Sequence, residues 1–215
     1  MPTIWDDTTV RGPISQPPHR TSLLGPLSLV TATSGQVLTL QSLKDHIKVT
    51  TDDEDQLLRE YLDTATRLCE ELIDGHRQFL AATYDVPVEC FWEGLLRLPR
   101  PPLASVTHLK YYDTNGTQQT LASTYYTVRT PWRQPGTIER APNQVWPSVE
   151  TDRNYPITIR IVTGYGAMTA VPPEAKQAVK MVATRLYESR GCIDDEILKK
   201  IADYLEVTMG YGSYR

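Results

Sequence analysis

The sequence predicts an α+β protein: a small helical bundle of two long helices plus shorter ones, a central β insert, an extended N-terminal arm and a C-terminal tail. Apolar residues recur at three- and four-residue spacing in two long segments, 52–74 and 173–190. Between them, from about 78 to 168, the chain changes to short β-branched or aromatic runs separated by Pro, Gly and Asn. Helices, an insert and helices again, with no βαβ alternation, make an α+β layout.

Residues 1–37 read as an irregular arm. They hold five prolines (Pro2, Pro13, Pro17, Pro18, Pro26), many Ser and Thr, and no sustained periodicity. Such a segment cannot bury enough apolar surface to fold alone, although Leu23, Leu24, Leu27 and Leu29 can anchor it to another surface. The folded domain is expected over 38–204. It opens with a short helix at about 39–48, capped by Thr39 and carrying Leu40, Leu43 and Ile47 on one face.

Thr51-Asp52-Asp53-Glu54 then has the form of a capping box, with acidic residues in the positive first turn of the 52–74 helix. Leu57, Leu58, Tyr61, Leu62, Ala65, Leu68, Cys69, Leu72 and Ile73 form its stripe, and Gly75 stops it. Strands are expected at 79–92, 95–98, 106–112, 125–128 and 157–162. Asn115-Gly116 suits a type I′ hairpin turn leading into the polar stretch 117–120. Val171-Pro172-Pro173-Glu174 opens the 173–190 helix with proline in its first turn. Its face is Ala175, Ala178, Val179, Val182, Ala183, Leu186 and Tyr187. A last helix, 194–205, carries Ile197, Leu198, Ile201, Tyr204 and Leu205, and a tail is expected over 205–215.

Composition narrows the function. A net charge of −4 opposes a protein that clings to nucleic acid, which needs dense Lys and Arg to displace counterions. With Tyr 12, Trp 4 and Phe 2, the aromatics are of the kind favoured at partly wet interfaces. Cys69, Cys90 and Cys192 form no CxxC pair; Cys69 falls on an apolar helix face and reads as a buried thiol. No basic-then-apolar leader and no bilayer-length apolar run occur, so a soluble, unsecreted protein is expected.

Chemistry has few footholds. Asp52, Asp53, Glu54 and Asp55 occupy consecutive positions that point in different directions, so a capping role explains them better than a metal site. Asp113, Asn115 and Gly116 lack the spaced ligands and closing Glu of a calcium loop. His19, His46, His76 and His108 share no ligand spacing. No G-x-S-x-G, P-loop or G-x-G-x-x-G is present, and Gly164-Tyr165-Gly166 reads as a turn after a strand. No cofactor, metal or catalytic residue is expected.

The stretch LRLPRPPLASV, 96–106, admits two readings. Its segment 97–102 has the form of a PxxP ligand in a polyproline II helix. Its flanks look like strands, however, and proline marks strand ends and edges. In the tail, Gly210 and Gly212 free the backbone around Tyr211, while Tyr214 and Arg215 are residue types that concentrate binding energy at interfaces.

Taken together, LTLQSLKDHIKV with TTDDEDQLLREYLDTAT, LLRLPRPPLASVTHLKYYDTNGTQQTL with YYTV, and ITIRIVTGYG with VPPEAKQAVKMVATRLYESRG resemble the head–tail connector family of tailed bacteriophages, also called adaptor or head-completion proteins. The resemblance spans about 38–191 and leaves the arm outside. Its most specific part is Leu98, Pro99, Arg100, Pro101, Pro102 and Leu103, followed by the turn at Asn115 and Gly116. The tail keeps Tyr214-Arg215 but has Ser213 in place of a proline.

The resemblance implies a non-enzymatic virion protein: a dodecameric homo-oligomer beneath the portal that extends the DNA channel and meets a stopper or tail-completion protein. Portal docking would fall to Leu205, Met209, Tyr211, Tyr214 and Arg215. Genomic DNA would pass without specific binding; twelve copies would carry roughly −48 charges, a sign that lets DNA slide. No membrane is involved, and the location implied is the virion neck, after assembly in the host cytoplasm. Two other classes stay open: a monomeric scaffold presenting 97–102 as a peptide ligand, and an enzyme with an unrecognised site.

Overall fold

A computed structural model describes residues 23–32, 35–73, 76–132 and 134–209. Helix-forming sequence flanks the β insert in the chain, and in space it closes on itself. Helices α1 (Leu40–Ile47), α2 (Asp55–Leu72), α3 (Pro173–Glu188) and α4 (Asp195–Met209) pack together, so the β unit, apart from one edge strand that precedes α1, is inserted between α2 and α3 of one bundle. Leu58, Leu62, Ala65 and Cys69 of α2 are buried with Ala175, Ala178, Val179, Val182, Ala183 and Leu186 of α3. Tyr61, Leu68, Leu72 and Tyr187 are partly buried at the margin of that core.

Local chemistry sets the ends of these helices, and not always as the sequence predicts. Thr39 caps α1, its Oγ1 accepting from the Ser42 N–H at 3.2 Å. The Thr51–Glu54 capping box does not form: α2 begins at Asp55, and its cap residue Glu54 makes no side-chain capping bond. Tertiary partners take the acidic groups instead. The Tyr187 hydroxyl donates to Glu54 at 2.6 Å. Lys44 on α1, only 4% exposed, reaches Asp52 at 2.5 Å and Asp55 at 2.8 Å. At the far end, α4 continues to Met209, four residues beyond the expected stop, because Leu205 and Met209 carry its buried stripe onward.

The β unit contains two antiparallel sheets. Strands β1 (Ser28–Ala32), β2 (Ala82–Val88), β4 (Leu103–Tyr112), β5 (Gln118–Leu121) and β8 (Ile157–Thr163) form one, in the order β1-β2-β8-β4-β5. Strands β3 (Leu95–Arg97), β6 (Tyr126–Arg129) and β7 (Thr137–Arg140) form the other, in the order β3-β7-β6. Val86, Leu109, Ile157, Ile159 and Ile161 from the first sheet share a second core with Leu96 and Ile138 from the other. Trp92 closes it, 4% exposed, its indole N–H donating to the Ile138 carbonyl at 3.1 Å.

Three β features depart from the expectations. Residues 28–32 belong to the segment expected to be irregular, yet they pair with β2 as an edge strand whose five residues are all exposed. Strand β7 was not foreseen, and the 79–92 run contracts to the seven residues of β2. The Asn115-Gly116 turn is not type I′, since only Gly116 has positive φ (75°). The Gly116 N–H closes a turn on the Asp113 carbonyl, and Asp113 Oδ1 accepts from the Asn115 and Thr117 N–H groups. A β4–β5 hairpin results all the same, by the alternative of a turn followed by a left-handed glycine.

Candidate functional site

The described residues supply little chemistry. Among them no group of three His, Cys, Asp or Glu is placed to hold a metal, and no helix is long and apolar enough to cross a membrane. Burial pushes the Cys69 thiol up to about 12, so it is a packing group and not a nucleophile. An open hollow lined by Glu139, Arg140, Asn143, Gln144 and Val145 has its charged groups already engaged. Glu139 holds Arg129 at 2.6 Å, and Arg140 donates to the Gln144 carbonyl at 2.9 Å.

A more organised charged group lies on the large sheet. Arg160 of β8 stands opposite Asp85 of β2 and His108 of β4 in the register. It grips Asp85 through two bonds of 2.7 Å. The guanidinium holds the Asp85 carboxyl below its usual range, with smaller contributions from His108 and Lys110. Desolvation, followed by the charges of Lys110 and Arg160, lowers the pKa of His108.

The proline-rich stretch is built into the fold. Leu98, Pro101, Pro102 and Leu103 are buried, while Pro99 and Arg100 are half-buried. Leu98 and Leu103 enter the β core. The Pro101 carbonyl accepts from the Gln78 N–H at 2.9 Å, and the Pro102 carbonyl from the Gly164 N–H at 2.9 Å. Both bonds tie the stretch to the segments that connect bundle and β unit. The turn residues Asn115 and Gly116 lie about one strand length away, at the exposed end of the β4–β5 hairpin.

Of the residues expected to bind a partner, Leu205 and Met209 are buried in the bundle, 0% and 3% exposed. They serve the subunit's own core, which corrects the reading of 205 as the start of a tail. Their four-residue spacing on α4 is the signal that marks them as core. Tyr211, Tyr214 and Arg215 lie outside the described residues. On the last turn of α4, Val207 is 85% exposed.

Comparison with known proteins adds the fold. No protein-family model matches the chain, and no curated protein matches it. Solved structures do. A chain from the neck of an empty gene transfer agent (GTA) particle, computed with C6 symmetry, superposes with a TM-score of 0.68 at 22% identity, covering 84% of this chain and 95% of that one. The chain shares its fold with GTA particle chains. A chain from the virion of a native GTA particle gives a TM-score of 0.65 at 23% identity, over 82% of this chain and 93% of the other. A chain from the neck of the native particle, computed with C12 symmetry, gives 0.59 at 20% identity, over 82% and 94%. The shared fold takes in most of this chain and nearly the whole of each matched chain.

Several contacts that organise this molecule leave no signal in the sequence. Asp85 with Arg160, Glu54 with Tyr187 and Lys44 with Asp52 join separate segments of the chain, and no local spacing announces them.

Proposed function

We propose that the protein is a structural component of a phage-type neck: a head–tail adaptor that assembles as a ring beneath the portal, extends the DNA channel and receives a stopper or tail-completion protein. The observation that carries this reading is the fold match over nearly the whole of a neck chain from a symmetric particle. The resemblance of 38–191 to connector proteins points the same way independently. The organised polar groups among the described residues are spent on ion pairs and caps, which suits a structural component better than an enzyme. Burial of Pro101 and Pro102 leaves little of 97–102 for a peptide-binding groove.

In this reading the portal contact belongs to the chain after Met209, with Tyr211, Tyr214 and Arg215 as anchors and Val207 at its base. The segment ahead of Leu23 is a second candidate contact, toward a neighbouring copy or the tail-side partner. The test is co-sedimentation with purified portal rings, comparing the full chain with one ending at Met209, so that the α4 stripe stays intact. The full chain should sediment with the portal and show rings by negative stain, whereas the shortened chain should remain folded and unbound. Equal binding by both would move the portal contact elsewhere, and no binding by the full chain would reject the adaptor reading.

A further inference from the structure

Each unit has its own core, and besides the passage from β1 to α1 the chain crosses between them at 76–81 and at 164–171. The main packing is of helices on helices and strands on strands, so the segments that join the units bear on their relative position. The two segments are bonded to each other: Tyr165 N–H to the Phe79 carbonyl at 2.9 Å, and Ala81 N–H to the Gly166 carbonyl at 3.2 Å. Gly164 has φ +97°, and a Cβ there would sit 2.2 Å from the Leu80 carbonyl oxygen, so only glycine permits the approach.

One chain of side-chain contacts spans the crossing from bundle to sheet. Glu70, on the last turns of α2, accepts from the Phe79 N–H at 2.7 Å and from the Gln78 amide at 3.1 Å. The Gln78 side-chain oxygen then accepts from the Tyr84 hydroxyl of β2 at 2.7 Å. Arg100, at a left-handed φ of 57°, stands over the Tyr84 ring at 5.9 Å. It is also near enough to act on the Glu70 charge. The Gln78 backbone completes the seat through the Pro101 carbonyl.

We propose that Glu70, Gln78 and Arg100 form a latch that fixes the angle between the helical bundle and the β unit, with the proline-rich stretch as its seat. A carboxylate on a backbone N–H is a charge-assisted bond, stronger than a neutral one. It joins an α2 residue to the first of the two crossing segments. Gln78 uses both ends of its amide, so neither Glu70 nor Tyr84 can turn without the other. This gives the proline-rich motif a role inside the subunit that holds whatever the subunit binds.

The test measures the angle directly. Cys192, exposed between α3 and α4, takes one spin label, and Thr120→Cys on the exposed edge strand β5 takes the other, in a Cys90→Ser background; the buried Cys69 is left in place. The otherwise native chain should give one narrow distance distribution. Glu70→Gln, which keeps an acceptor for the Phe79 N–H, should also give it. Glu70→Ala combined with Gln78→Ala should broaden or shift the distribution while far-ultraviolet circular dichroism stays unchanged. Should the double variant fail to fold, Gln78→Ala alone decides, since it removes both side-chain bonds and spares the Glu70–Phe79 bond. A distribution as narrow as the native one in a folded double or Gln78→Ala variant would overturn the latch.

Discussion

In the bundle, α2 and α3 meet along stripes of Leu, Val and Ala spaced by one helical turn, and the backbone ladder of each helix joins residues four apart. In the β unit, the central strand β8 buries Ile157, Ile159, Ile161 and Thr163 on alternate positions. Its ladder bonds go to β2 and β4, about 75 and 50 residues earlier in the chain. The difference is one of range. A bundle core is secured by local geometry plus a few long contacts, while the β core exists only once distant segments have found register. Between the two lies a crossing where Phe79 and Val171 are buried in the bundle core and polar side chains add hydrogen bonds from α2 to β2.

The comparison breaks most visibly if each core is cut in turn. Leu62 on α2 and Ile159 on β8 are both fully buried. Leu62→Ala and Ile159→Ala should each cost about 2–5 kcal/mol, from lost transfer energy plus the cavity left behind. Calorimetry of the two variants shows whether the units are coupled. With the crossing intact, either substitution should lower one common unfolding transition. A scan in which Leu62→Ala lowers one transition and leaves a second untouched would show two units that melt independently.

The same contrast in range explains what the sequence could disclose. The stripes on α2 and α3 were legible because period 3.6 repeats over many residues, and six of the seven expected face residues of α3 are buried, with Tyr187 at the margin. Strand β8 was legible because it alternates and is rich in isoleucine. Strand β1 was not: SLVTA is exposed throughout, and what holds it is backbone pairing to β2, which leaves no trace in residue type. The capping box failed for a related reason. Its residues fit a local rule, but Tyr187, more than a hundred positions away, claims Glu54. Leu205 and Met209 fall in the expected 205–215 tail because the resemblance implies portal docking there. The helix stripe claimed them instead.

A smaller effect is expected on the sheet face, where Asp85 and Arg160 are partly exposed, 24% and 34% by side chain. Asp85→Asn should cost about 1 kcal/mol at neutral pH, the upper part of the range for exposed pairs because the geometry is two-pronged. The Asp85 pKa is lowered by folding, so its contribution is complete above the unfolded value near 3.8 and is lost as pH falls through the folded value. Denaturation curves of the two proteins should therefore converge in strong acid. A constant gap at every pH would mean that the substitution acts through packing and not through the charge.

The smallest effect belongs to the crossing, and its sign is the opposite. Burial raises the Glu70 pKa above its ordinary 4.5, outweighing the Phe79 N–H bond and the attraction of Arg100, both of which lower it. A carboxyl whose folded pKa is raised contributes its full stability below the unfolded value and loses it as pH rises through the folded one. The charged latch is thus held at a net cost at neutral pH. Glutamine has the size and the acceptor of the protonated acid without the charge. Glu70→Gln should therefore match the native chain below about pH 4.5 and be slightly more stable above it, by less than the loss seen for Asp85→Asn. Denaturant titrations of both proteins, taken in steps from acid to neutral pH, measure the difference with the other carboxylates cancelling. If the native chain proves more stable at neutral pH, the charge-assisted bond to Phe79 outweighs desolvation. The crossing would then resemble the Asp85–Arg160 pair in resting on net electrostatic gain.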